Sequence, residues 1–400
     1  MTYAAPPARN EISDTYPNPS NAVARVGFGK LWDYVTGLLG STGNPTAAKA
    51  ALLVPQDVDF TNRIINGAMM IDQRNAGASV TSAANGTYFL DRWRNYQTAN
   101  SKFSVQQSST APAGFTKSML ITSLSAYSVG AGDILAMDYR IEGNNVADLA
   151  WGTASAATVT LSFWVRSSLT GTFGGAVSNS AGNRSYPFTY TVNSANTFEY
   201  KTVTIAGDTS GTWLTDTGVG IELFFSLGTG STYSGTAGSW SGSQYTSATG
   251  ATSVVGTSGA TFYITGVQLE KGTAATGFAY RPYGAELALC QRYYYRNKPG
   301  AVSGFGSGLA NTTNSTFANI SFPVTMRIAP TALEQSGAAS DYTSFRRNGS
   351  VACTSVPSFQ YANAQGCMTQ FTTTGDFVQG EAIIQMALTS SSYLGWSAEL

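Results

Sequence analysis

Between residues 61 and 285 apolar and polar side chains alternate with a period of two. In TVTLSFWVRS, Val159, Leu161, Phe163 and Val165 fall on one side, and Thr160, Ser162, Trp164 and Arg166 on the other. That is the pattern of a strand with one buried face. GIELFFSLG repeats it, with Ile221, Leu223, Phe225 and Leu227 facing in and Glu222 and Phe224 facing out. Shorter runs of the same kind stand at RIING, YFLDRWRNY, SMLITS, ILAMDYRIEG, YKTVTIAG and ATFYITGVQLE, separated by Gly, Ser, Asn and Thr clusters. Evenly spaced short strands with turn residues between them predict a large antiparallel sandwich of jelly-roll type.

The inward parity slips by one in TFYITGVQLEKG, from Phe262 and Ile264 before Gly266 to Val267 and Leu269 after it. A β-bulge at the glycine is expected, because a one-residue slip otherwise turns every side chain to the wrong face. EKG then leaves the sheet, Pro282 blocks further pairing, and AELALCQRYY has helical spacing. This reads as a closing strand and a hinge into a smaller β-sandwich over 286–400, with strands at FANISFPVTM, YTSFRRNG, FQYANAQ, GEAIIQMALTS and YLGWSAEL. The tract from Gly228 to Gly259 reads as a long surface loop, punctuated by Tyr233, Trp240 and Tyr245.

Residues 1–60 change period. SNAVARVGFGKLWDYVTGLLG places Val23, Val26, Leu31, Val35, Leu38 and Leu39 at helical spacing, and a second short helix is signalled by NPTAAKAAL. The proline-studded stretch ahead of them is extended. Such a segment makes no core alone and is expected to order against a partner surface or copies of itself, with a short helical hairpin packed on its own β domain as the alternative.

Composition narrows the chemistry. Only 11% of the residues are charged, the formal net charge is zero, and 43 glycines with abundant Ser and Thr carry the polarity. Nucleic acid and anionic membranes need clustered Lys and Arg, so neither is an expected partner. With no histidine there is no Ser-His-Asp or Cys-His machinery and no His metal site. Three cysteines, Cys290, Cys353 and Cys367, make no disulfide framework; the last two could meet across a hairpin, though buried thiols are the expectation. No signal peptide or membrane helix is evident.

RIINGAMMIDQR, YFLDRW, the stretch from Tyr139 to Ser168, the stretch from Phe262 to Arg296 and the C-terminal ISFPVTMRIAPT with LGWSAEL closely resemble a family of tailed-bacteriophage tail fibres and minor virion proteins. The large domain is similar to family 4-like carbohydrate-binding jelly rolls. The resemblance implies a homo-oligomer, a trimer by preference, held to other tail proteins by residues 1–60 and presenting its β domains to a host-surface glycan. The anchoring residues would be Tyr16, Val23, Val26, Leu31, Trp32, Val35 and Leu38. It implies assembly in the host cytoplasm and residence in the virion tail. A tail adaptor that binds only virion proteins, and a polysaccharide depolymerase, are the alternatives.

Four outward residues, Trp164, Arg166, Glu222 and Phe224, combine ring faces with hydrogen-bonding groups and are the candidate sugar contacts, with subunit packing as the competing role. No catalytic residue, metal or cofactor is expected. Asp138 and Glu142 are two carboxylates on one strand that no pattern singles out as a glycosidase pair. Asn66 and Glu270 match calcium-binding positions of the resembled jelly rolls, but Ala68 and Met69 stand where an acidic ligand is needed. Asp91 and Arg92 are expected to form a structural ion pair.

Overall fold

A computed structural model describes residues 60–400. The expected N-terminal helices and the anchoring residues Tyr16, Val23, Val26, Leu31, Trp32, Val35 and Leu38 lie outside the described residues. Thr61–Leu400 forms one compact unit containing two β-sandwiches, each with its own core.

The larger sandwich has two six-stranded antiparallel sheets. One orders Val80–Thr81, Phe103–Ser108, Ser118–Ser123, Thr261–Lys271, Val159–Ser167 and Glu199–Ile205. The other orders Tyr88–Leu90, Trp93–Gln97, Ile134–Glu142, Val219–Thr229, Gly171–Ser178 and Ser185–Val192. Strands far apart in sequence lie side by side, as in a jelly roll. The two alternating runs face each other across the core: Phe163 meets Phe225 at 5.1 Å between ring centroids, and all eight inward residues are buried. Each such side chain contributes about 1.5–3 kcal/mol by leaving water.

The bulge stands where parity placed it. Gly266 has a φ of 60° and the pairing with Val159–Ser167 shifts between Thr265 and Gln268. RIING, by contrast, is a turn and not a strand, with Asn66 at φ 59°. The Asn62 carboxamide reinforces two backbone bonds there, Arg63 to Leu269 and Val267 to Gly67, by donating to the Val267 carbonyl at 3.0 Å and accepting from the Ile64 and Leu269 amides. YFLDRWRNY is broken into two strands by a left-handed residue, Arg92.

The smaller sandwich sets a seven-stranded sheet against a three-stranded one. The large sheet orders Gly349–Ala352, Tyr342–Arg346, Ala382–Ala387, Ser303–Thr312, Ser315–Ser321, Gly366–Thr372 and Ser358–Asn363. The small sheet orders Tyr294–Asn297, Leu394–Ser397 and Glu334–Gln335. Trp396 fills the space between them, stacked on Tyr295 at 5.6 Å and against Phe322 at 5.4 Å. Cys353 and Cys367 are free, buried thiols, and burial pushes both up to about 12.

The segment that reads as a hinge is a packed connector. Its helix, Tyr283–Gln291, buries Cys290 beside Ile65, Ile71 and Tyr293 because its apolar side chains find a partner surface on the larger sandwich. Glu286 accepts the Asn66 amide and the Arg281 guanidinium. Past the helix, Arg292 and Tyr293 donate to the buried Glu142 at 2.7 and 2.6 Å. Arg327 holds the end of the chain to the first sandwich, donating to the carbonyls of Thr217, Ala398 and Glu399. Asp91 and Arg92 do not pair with each other: the left-handed turn between strands points them apart. Asp91 accepts from the Gln73 backbone and side chain, while Arg92 pairs with Glu399.

Candidate functional site

The four outward residues do not form one site. Trp164 and Arg166 stand on the outer face of one sheet and Glu222 and Phe224 on the outer face of the other, with the core between them. Sequence parity identifies outward positions, but it does not say which strands share a sheet.

Glu222 and Phe224 are outward yet covered. Phe224 is 1% exposed and packs with Ile134, Ala136 and Ala176 under Tyr96 and Tyr233. Glu222 joins a compact ionic cluster: Arg140 bridges it at 2.8 Å to Asp138 at 3.4 Å, and Arg94 donates to Asp138 at 2.6 Å. Burial, with the neighbouring Asp138 carboxylate, pushes Glu222 up to about 7 against the pull of Arg140 and Arg94. Burial likewise raises Asp138. Glu142, four positions along the same strand, is instead held below the usual carboxylate range: burial opposes this, but the Arg292 and Tyr293 donors prevail. All three carboxylates are tied to protein donors, and Asp138 and Glu142 are both closed to solvent.

The other outer face is different. Trp164 lies beside Tyr200 in the antiparallel register, with ring centroids 5.4 Å apart, and Tyr200 is 43% exposed. Across the bulge, Phe115 forms a tight group with Phe278 and with Tyr280, which is 58% exposed. Gly266 joins the two groups. A Cβ there would stand 2.7 Å from Phe115 and 3.1 Å from Trp164, so both rings rest on the bare backbone of the glycine. Arg166 lies over Tyr263 at 4.7 Å and donates its Nε hydrogen to the Asn196 carbonyl at 2.8 Å. Thr202 stands beside the rings in register and is exposed, while Ser162 and Thr265 on the same side of the sheet are buried. The face therefore offers ring surfaces with the exposed Thr202 hydroxyl and the Arg166 cation beside them. Such a set is suited to a ligand that is flat, polar and uncharged, which would be held by stacking plus hydrogen bonds. Of its aromatic members the sequence reading singled out only Trp164. Tyr200 and Tyr263 were legible as outward positions of YKTVTIAG and ATFYITGVQLE; Phe115 and Tyr280 sit in irregular segments that carry no periodic signal.

The Asn66 and Glu270 positions do not fit a cation. The Asn66 carboxamide is spent on the Ile71 amide and the Ile71 and Asp91 carbonyls, and Glu270 accepts from Gln268 and Thr276. Among the described residues no group of three or more Asp, Glu or Cys is gathered as a metal site.

No protein-family model and no curated protein sequence matches the chain. Among solved structures it is similar to a putative sugar-binding protein from Bacteroides thetaiotaomicron, at 13% identity and a TM-score of 0.30 over 53% of this chain and all of that one. It is also similar to the family 11 carbohydrate-binding module of a Clostridium thermocellum cellulosomal cellulase, at 14% identity and a TM-score of 0.24 over 51% of this chain and all of that one. A third is the enzymatically active domain of bacteriophage CBA120 tailspike protein 4, at 14% identity and a TM-score of 0.27, covering 48% of this chain and 22% of that one. At these scores the overlaps carry no argument about activity, and the fold assignment rests on the sheet order and register above.

Proposed function

We propose that this protein is a non-catalytic bacteriophage tail fibre component that binds a surface glycan through the outer face built on Trp164. The observation that carries the reading is the aromatic row from Tyr280 and Phe115 across Gly266 to Trp164 and Tyr200, bordered by Arg166. The low charge of the whole chain supports it, because a neutral saccharide is held by ring faces and hydroxyl partners with no ionic contact. The phage assignment is supported by the sequence resemblance of residues 61–400, and attachment to the tail would fall to residues 1–60. Trp164 and Arg166 are the contacts of this reading; the covered Glu222 and Phe224 are not.

Binding of the full chain to an array of bacterial-surface oligosaccharides, followed by titration of any positive glycan, tests it. Saturable binding that Trp164→Ala weakens at least about tenfold, a loss of about 1.4 kcal/mol, is the expected result. Phe224→Tyr, on the opposite sheet, is expected to leave affinity unchanged. Failure to bind any glycan on the array or intact host cells removes the reading and leaves an adaptor that contacts only virion proteins. A fall in polysaccharide chain length on incubation would instead establish a depolymerase.

A further inference from the structure

The chain that leaves Thr261–Lys271 folds back over the outer face that carries Trp164. Outward positions on that strand are Tyr263 and Thr265 before the bulge and Gln268 and Glu270 after it, paired in register with Arg166, Trp164, Ser162 and Thr160. The segment 272–281 lies along the second pair as a strap. It is fixed at its start, where the Thr160 hydroxyl donates to the Gly272 carbonyl at 2.9 Å, and at its end, where Arg281 donates to the Asn62 and Ile64 carbonyls. Between these points Gln268 holds it. Gln268 is fully buried; its carboxamide accepts from the Ala279 amide at 2.8 Å and reaches the Gly277 carbonyl and the Thr276 hydroxyl at 3.3 Å. It also donates to Glu270 at 2.9 Å, and Glu270 accepts from the Thr276 amide and hydroxyl at 2.9 and 2.7 Å.

A strap kept for stability alone does best over apolar side chains, because buried amides and carboxylates must first offset their own desolvation. This one covers two polar side chains and leaves its rings outside: Phe278 is half-buried and Tyr280 is 58% exposed. Polar ties are directional, so a fully satisfied set fixes one position. Here it sets Phe278 and Tyr280 against Phe115, with ring centroids 4.9, 5.1 and 5.5 Å apart, and the Tyr280 hydroxyl donates to the Gly114 carbonyl at 2.9 Å. Trp164 and Tyr200 form a separate ring pair on the other side of Gly266.

We propose that Gln268 is a positioning residue for the glycan face: it holds the strap so that Tyr280 and its neighbours form a second ring platform, and the bound saccharide extends across Gly266 from Trp164 onto Tyr280. The ligand is then an oligosaccharide and not a single sugar. This rests on the glycan reading above and adds the length of the ligand and the residue that sets it.

Titration of the full chain with saccharides of graded length tests it. The probes are the mono- to hexasaccharides of the glucose, galactose, N-acetylglucosamine and rhamnose series, together with the fragments of any glycan positive on the array. Wild type is expected to bind the longer members of a series about tenfold more tightly than the shortest that binds, as an added stacking platform allows. Gln268→Met, which keeps the volume and removes the hydrogen bonds, is expected to lose that step while binding the shortest member as wild type does. Hydrogen exchange over 272–281 is expected to quicken in the same variant, with the strands still protected. Trp164→Ala weakens every length. A wild type that binds all lengths equally, a Gln268→Met variant that keeps the step, or an unchanged exchange rate in the strap overturns the proposal and leaves glycan binding standing. Should Gln268→Met misfold, Tyr280→Ala, at an exposed ring, decides: loss of the step alone supports the second platform, and its retention overturns it. A wild type that binds no saccharide removes the glycan reading and this inference with it.

Discussion

Arg92 and Glu399, 307 residues apart in sequence, are ion-paired in the seam between the two sandwiches, with side chains 1% and 5% exposed. Arg92 also lies over Tyr293 at 3.6 Å and donates to the Arg140 carbonyl at 2.5 Å. Burial disfavours the guanidinium charge, but Glu399 together with Tyr139, Tyr293 and Tyr88 more than offsets this. The pair thus fastens the end of the chain to the start of the first sandwich. Glu399→Ala leaves a buried cation unmatched and is expected to cost about 3–5 kcal/mol, read as a lowered midpoint in urea. The double variant Arg92→Met with Glu399→Leu is expected to recover only part of that loss, since it removes the Arg92 charge but leaves Arg74, which also pairs with Glu399 at 3.4 Å, without that partner.

Gly266→Ala is expected to destabilise the larger sandwich by about 1–3 kcal/mol, through strain at positive φ together with displacement of Phe115 and Trp164. Because those rings form the proposed glycan face, affinity is expected to fall in the same variant. Thermal denaturation and glycan titration of one preparation check both effects. A variant of full stability and full affinity contradicts the role given to this glycine.

Stability is expected to fall as pH rises from about 4 to about 7. Burial raises Glu222 to about 7 and Asp91 to about 6, each above its ordinary value, so the folded state holds protons that the unfolded state has released across this window. Stability declines wherever the native state binds more protons. Glu142, held low, acts in the opposite sense only below its ordinary range, where protonation removes its contribution. Glu222→Gln is expected to flatten the fall by about 1–3 kcal/mol, measured by urea titrations at a series of pH values.

The three cysteines are expected to resist a thiol reagent in the native protein and to react together on unfolding. Cys290, Cys353 and Cys367 are free and buried, and burial raises each thiol above its ordinary range. Rapid reaction of any of them at neutral pH without denaturant contradicts the packing described.

The sequence disclosed strands wherever β-branched and aromatic residues alternate, and the bulge at Gly266, because both express a period that burial imposes. It hid strands whose packing demands glycine. Gly171–Ser178 lies so close to its neighbours that a Cβ at Gly175 would collide with the Phe224 carbonyl and the Phe188 ring. Ser303–Thr312 is rich in Gly, Ser and Thr and has too few apolar residues to show a period of two, yet it is a middle strand of the seven-stranded sheet, where a Cβ at Gly308 would strike the Phe317 carbonyl. The site was half legible for a different reason. Outwardness is a local property, while membership of one face depends on which strands pair, and that is decided by contacts between distant residues such as Trp164 and Tyr200.

The smaller sandwich enters through Tyr294–Asn297 and returns through Leu394–Ser397, two strands paired side by side. Apart from Arg327, which reaches the Thr217 carbonyl, the chain between them is an excursion from that doorway. Its hairpin tips, at 312–315, 346–349 and 363–366, give no side chain to that doorway. New peptide could be spliced into these tips, or their residues freely exchanged, without loosening the grip of one body on the other. Diversity in whatever the excursion touches would then come at little structural penalty.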